Sequence, residues 1–94
     1  MFLLSLTYKV PLDVVDRHLD AHVAWLKEGY ASGMFLASGR KIPRTGGMIF
    51  AQGERAAVEA FARLDPFAVN GVADYAVTEV NLTMTAEGLE GLKG

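Results

Sequence analysis

Asp20-Ala21-His22-Val23-Ala24-Trp25-Leu26 lies in the middle of a pattern that repeats at helical spacing. Leu12, Val15, Leu19, Leu26 and Tyr30 step along one face and predict a first helix from about Leu12 to Ala31. His22 falls on that apolar face, three residues after Leu19 and four before Leu26. An imidazole aimed into a core needs a hydrogen-bonding partner. The best candidate is Asp65, at the end of a second helix predicted from about Glu54 to Leu64, with Ala57, Val58, Phe61 and Ala62 on its buried side. Asp65 continues that stripe, so it leaves the second helix toward the same core. Pro66 then ends the helix, because the residue before a proline is pushed out of helical geometry.

The rest of the chain fits around these two helices. Phe2 to Lys9 alternates, with Phe2, Leu4, Leu6 and Tyr8 on one face and Leu3, Ser5, Thr7 and Lys9 on the other, and reads as a first strand. Val10-Pro11 closes it, since proline cannot continue a ladder but suits the first turn of a helix. Asp13 and Asp16 stand near the positive end of the first helix, and Gly33 is its stop. Met34 to Ser38 reads as strand two, Gly39 to Gly47 as a loop, and Gly47 to Ala51 as strand three before a turn at Gln52-Gly53. Pro66 to Val72 is an irregular or one-turn segment, and Ala73 to Leu82 is strand four. Residues 1–82 form the domain, and Thr83 to Gly94 form a partly ordered tail with one turn.

The order is β-α-β-β-α-β, an α+β ferredoxin-like arrangement in which two helices cover one face of a four-stranded antiparallel sheet. The uncovered face should be polar in a monomer. Instead both faces carry apolar residues: Phe35 and Ala37 against Met34 and Leu36, Ile49 and Ala51 against Met48 and Phe50, Tyr75 and Val77 against Ala76, Val80 and Leu82. A second copy packed sheet to sheet, as a symmetric homodimer, is the simplest cover.

Composition narrows the function classes. At 94 residues the chain is one domain, and 51% hydrophobic residues argue against disorder. The net charge is -2 and the nine Lys and Arg residues are scattered, which speaks against nucleic acid or an anionic membrane surface as partner. No apolar run reaches the ~18–20 residues of a membrane span. Met1 to Leu6 lacks a basic flank and reads as a strand, not a signal peptide. With no cysteine there is neither a disulfide frame nor a thiolate metal site. The expectation is a cytoplasmic domain.

Three groups of residues could carry chemistry. His22 with Asp65 could act as a general acid/base, the carboxylate fixing the ring's tautomer; a structural, inert histidine beside an ordinary Asp-Pro helix stop is the other reading. The basic stretch Arg40-Lys41-Ile42-Pro43-Arg44-Thr45-Gly46-Gly47 could hold a carboxylate or phenolate through Arg40 or Arg44, or be a solvated loop; it lacks phosphate-loop spacing. Ser38, ending strand two, and Tyr75, beginning strand four, could line the same pocket. Neither Ser5 nor Ser38 sits in a nucleophile elbow, and Trp25 and Met34 read as core. His18 and His22, four apart on a helix, could share a metal with Asp65 as third ligand, but His18 lies nearer the polar edge beside Asp16 and Arg17, so no metal is assigned.

Together, His22, Leu26, Gly33, Leu36, Ser38-Gly39, Gly46-Gly47, Asp65-Pro66-Phe67, Gly71 and Tyr75 resemble, in order and spacing, the YCII-related family of the dimeric α+β barrel superfamily. The resemblance implies a ferredoxin-like subunit paired sheet to sheet, and an active site built on a histidine and an aspartate, which fall on His22 and Asp65. It links one relative to dehydrochlorination of a chlorinated hydroxyhydroquinone. The wider superfamily holds muconolactone isomerases and monooxygenases acting on small rings. One position departs from the pattern: Arg40 stands where the family often has proline. The combined expectation is a small cofactor-independent enzyme, a lyase or isomerase moving a proton on a small anionic, aromatic or lactone-like compound. The alternatives are a small-molecule-binding protein and an accessory subunit without turnover.

Overall fold

A computed structural model of the chain describes residues 1–93. Its order is β1 (Phe2–Tyr8), α1 (Leu12–Arg17), α2 (Leu19–Ala31), β2 (Phe35–Arg40), β3 (Gly46–Ala51), α3 (Arg55–Ala62), α4 (Pro66–Val69), β4 (Ala73–Glu79) and a 3-10 turn at Glu90–Lys93. The strands form one sheet in the order β2-β3-β1-β4, and each neighbouring pair is antiparallel. This is the ferredoxin-like α+β topology, with β3 inserted between β1 and β2.

The alternation of β1 settles which face is covered. Phe2, Leu4 and Leu6 are buried, facing Ile49 and Ala51 of β3 and flanked by Tyr75 and Val77 of β4. Against this face pack Val15 of α1, Trp25 of α2, Val58 of α3 and Phe67 of α4. Each such side chain contributes about 1.5–3 kcal/mol when removed from water. Trp25 ties the layers together. Its ring stacks on Phe61 of α3 (5.0 Å between centroids), meets Phe35 of β2 edge-on (5.1 Å), and its indole N–H donates to the Phe61 carbonyl (3.1 Å).

The structure corrects several boundaries. The single first helix expected over Leu12 to Ala31 is two helices, divided at His18, whose φ of -105° and ψ of 2° lie outside helical geometry. No proline or glycine marks the break. α1 is anchored by buried Val15 and by Asp16, which accepts from Arg44 (2.7 Å), whereas α2 is anchored by His22 and Trp25. The ladder gives way between these two docking sites. Leu12 and Tyr30, expected in the buried stripe, are exposed at its ends, and Ala57 of α3 is exposed as well. A helical wheel carries no information about where the sheet stops. Strand four ends at Glu79 rather than Leu82. Pro66–Val69 forms one helical turn, with Asp65 as N-cap and proline in its first turn.

The largest correction concerns β2, which extends through Arg40 and carries a bulge between Phe35 and Ala37. Beyond it Ala37 pairs with Phe50, Ser38 with Ile49 and Arg40 with Gly47. Simple alternation puts Phe35 and Ala37 on one face. The extra residue, Leu36, reverses the phase, so that Ser38 and Arg40 share the helix-covered side with Ile49.

On the uncovered face Leu3, Leu36, Ala37 and Phe50 form an apolar groove with Val80, Leu82 and Leu92 of the tail. Phe50 is 39% exposed there. The tail is attached to the sheet by Val80, whose N–H donates to the Met1 carbonyl (2.8 Å). Gly94, the last residue of the expected tail, lies outside the described residues.

Gly46 is where β3 passes closest to β1: a Cβ there would stand 1.8 Å from the Leu6 carbonyl oxygen. Because the obstacle is backbone in the central strand pair, the sheet itself would have to shift. We expect Gly46→Ala to lower the unfolding free energy in urea by about 1–3 kcal/mol. Gly91→Ala, where nothing lies within 4 Å, should change it by less than about 0.5 kcal/mol.

Candidate active site

The site begins at the Asp65-Pro66-Phe67 corner. Pro66 stops α3's continuation and opens α4, and Asp65 caps it: Phe67 N–H donates to Asp65 Oδ1 (2.9 Å). The same turn places the Phe67 ring under His22, with centroids 3.9 Å apart and planes within 4° of parallel. From α2, His22 Nδ1 donates to Asp65 Oδ1 at 2.7 Å. From β4, the Tyr75 hydroxyl donates to Asp65 Oδ2. Asp65 is 0% exposed and His22 8%.

Three donors therefore meet on one fully buried carboxylate. A carboxylate only accepts, so Nδ1 must carry the shared proton, and neutral His22 then presents a lone pair at Nε2. No hydrogen bond among the described residues uses Nε2. The ring stacks on Phe67, with Trp25 on a further side (5.6 Å).

His22 lines a cavity of about 170 Å³ between α2 and the sheet. Leu6, Leu19, Leu26, Ile49 and Phe67 form its apolar wall; Tyr8, Ser38 and Arg40 supply polar groups. The volume resembles that of a cavity known to admit benzene (~150 Å³) and is smaller than drug-sized sites of ~300–1,000 Å³. Gly39, Gly46 and Gly47 keep one wall free of side chains. Ser38 Oγ is hydrogen-bonded to the Tyr30 hydroxyl (2.7 Å), which ties β2 to α2 at the cavity's edge.

The residues singled out from the sequence thus fall into two groups. His22, Ser38 and Arg40 face one cavity, with Asp65 directly behind His22. Arg44 and Tyr75 stand elsewhere. Arg44 donates to Asp16 of α1, and that bond with the nearby carboxylate charge holds its guanidinium pKa above the usual value. Tyr75 reaches Asp65 from the opposite side. Tyr8, which lines the cavity, was not picked out as a site residue. The signal for it was present: it is the last inward residue of the Phe2, Leu4, Leu6, Tyr8 series, where a phenol ends at the rim of the core. His18 is half-buried at the α1–α2 junction, and no three His, Cys, Asp or Glu side chains gather as a metal site among the described residues.

A ferredoxin-like domain whose helix-covered cavity is backed by a buried histidine–carboxylate hydrogen bond is the class that fold and site define. The chain belongs to the YCII-related domain family, whose model matches residues 1–81. Among solved structures it is similar to the 5-chloro-2-hydroxyhydroquinone dehydrochlorinase TftG of Burkholderia phenoliruptrix, in complex with 2,5-dihydroxybenzoquinone. The TM-score is 0.70 at 22% identity, covering 85% of this chain and 93% of that one. No curated protein matches the chain. None of the described helices is long and apolar enough to cross a membrane.

The Tyr75 phenol shows how the buried carboxylate affects its surroundings. Burial, and then the Asp65 charge and hydrogen bond, push its pKa far above the ordinary ~10. The folded protein therefore keeps a proton that the unfolded chain releases. That stabilisation is complete below pH ~10 and is lost as pH rises above it. We expect the urea midpoint to fall on going from about pH 9 to 11, and the fall to be shallower in Tyr75→Phe. Equal slopes in the two proteins would contradict this.

Proposed function

We propose that the protein is a small enzyme that moves a proton on a small, anionic, cyclic compound. His22 is the general acid/base, Asp65 its orienting carboxylate and Arg40 the anchor for the substrate's charge; Ser38 is a secondary polar contact. The observation that carries this reading is the asymmetry of the His22 ring. One nitrogen is bonded to a carboxylate sealed from solvent, while the ring borders a cavity that also receives Arg40.

In this scheme Nε2 takes a proton from an acidic C–H or O–H of the bound ring, and Asp65 stabilises the imidazolium that results. Returning the proton to another atom of the same compound gives an isomerisation. Expelling an anionic group from the carbon next to the deprotonated one gives an elimination, with the electron pair of the broken bond leaving on that group. Arg40, whose side chain has no hydrogen-bonded partner among the described residues, supplies a positive charge for an oxyanion at the cavity's edge. One acid/base group contributes about 10²–10⁴-fold, enough for a substrate already activated by its own carbonyl or hydroxyl groups, so the scheme calls for no metal or cofactor. The 5-chloro-2-hydroxyhydroquinone that TftG dehydrochlorinates and the 2,5-dihydroxybenzoquinone bound to it are small oxygenated rings, which supports the same class here.

The uncovered apolar groove leads us to propose that the working form is a homodimer joined through that sheet face. Charged residues introduced there meet a desolvated partner surface. We expect sedimentation of the wild type at twice the 10.1 kDa chain mass, and of Phe50→Glu at the chain mass. A monomeric wild type would remove the dimer from the scheme.

The test of function is turnover of a panel of chlorinated and hydroxylated quinols, hydroxyquinones and small unsaturated lactones, followed by mass spectrometry. We expect His22→Ala to lose about 10²–10⁴-fold in kcat on any compound the wild type converts. Arg40→Met should raise KM by about tenfold or more. Conversion by His22→Ala at the wild-type rate would overturn the assignment. Compounds that stabilise the fold but are recovered unchanged would make this a binding protein.

A further inference from the structure

Asp65 is approached from two sides, and the scheme above uses only one. Tyr75 leaves β4 opposite Leu6. Its ring lines a second cavity, of about 390 Å³, with Ala62, Arg63, Ala68 and Ala73. It does not line the cavity that His22 borders. Only its hydroxyl reaches the site, as the donor to Asp65 Oδ2. The two oxygens thus have separate duties: Oδ1 accepts from His22 Nδ1 and Phe67 N–H, Oδ2 from Tyr75.

We propose that Tyr75 is a positioning residue of the His22 site, whose hydroxyl fixes the plane of the Asp65 carboxylate and through it the tautomer and orientation of His22. Rotation about the aspartate's terminal torsion is soft, with broad rather than staggered preferences. The Phe67 N–H holds Oδ1 at one point, and a carboxylate held at one point can pivot about it. A second donor on Oδ2 removes that freedom, and Oδ1 is then aimed at Nδ1. The phenol cannot exchange roles with its partner. Burial and the Asp65 charge keep the proton on Tyr75, so it remains a donor across the neutral range. Because Tyr75 does not line the cavity that His22 borders, it does this without touching whatever His22 acts on.

This inference rests on reading His22 as the working group, but its test needs no substrate. The chain has two histidines, so His18 serves as an internal reference in the same sample. Above pH ~7.5, where an imidazole is ordinarily neutral, ring ¹⁵N shifts report the tautomer of each histidine, and solvent exchange of the Nδ1 proton reports how firmly it is held. In the wild type we expect His22 in the Nδ1–H form with a slowly exchanging proton. Tyr75→Phe removes one oxygen. We expect it to give a mixture of His22 tautomers and exchange at least about tenfold faster, the scale of one lost hydrogen bond, with His18 unchanged.

A folded Tyr75→Phe whose His22 signals match the wild type would make Tyr75 a stabilising residue only and overturn the proposal. A wild-type His22 without the Nδ1–H form would instead overturn the reading of the site itself. Should Tyr75→Phe fail to fold, wild-type chain labelled with 3-fluorotyrosine keeps the hydroxyl but makes it a stronger donor. The His22 Nδ1 proton should then move toward the position of a weaker hydrogen bond, because Oδ2 draws charge from Oδ1. No movement would overturn the proposal.

Discussion

A carboxylate with no solvent exposure must find hydrogen-bond donors within the protein or cost several kcal/mol. Asp65 finds three, one each from α2, the α4 turn and β4. Phe67 lies two residues from Asp65 and Tyr75 ten, but His22 lies 43 residues away, and only the closed fold brings it to the carboxylate. The requirement works in both directions. Packing of the helices on the sheet creates the dry position, and the unsatisfied acid in any looser arrangement penalises partial opening. Phe67 joins the two halves of the argument, since its amide caps the turn while its ring holds His22 flat.

The cavity in front of His22 depends on features that oppose good packing. A strand carrying Gly46 and Gly47 fills little space, and the bulge in β2 turns Ser38 and Arg40 inward at the point where Phe35 stops filling the core. Gly46 is also where β1 and β3 lie too close for a side chain. One short glycine pair therefore serves both the sheet's closure and the open wall of the site. The charged 41–45 loop is fixed separately, by Arg44 on Asp16, which leaves Arg40 as the cation facing the cavity.

Much of this was readable in the chain. The 2-residue alternation of Phe2 to Tyr8 and the helical spacing around His22 gave strand, helix and inward face, because those periods follow from backbone geometry. Asp65 at the end of the stripe of Val58, Phe61 and Ala62, followed by proline, marked an acid leaving a helix toward the core. The break at His18 carried no such mark, since it follows from where two helix segments dock. The bulge at Leu36 was equally silent. Extra residues in a ladder are defined by the partner strand, and a reading of β2 alone gives the wrong phase from Ala37 onward.

By itself, the sequence determined the order of strands and helical regions and the inward face of β1, and it picked out His22 and Asp65 as a candidate pair. Local periodicity and turn chemistry act over a few residues, and those features need no more. The tertiary structure alone decided that Tyr75 stands behind Asp65, that Ser38 and Arg40 share a cavity with His22 while Arg44 does not, and that Tyr8 closes its rim. Each of these depends on register and on how separate segments pack against one another, which no local pattern encodes.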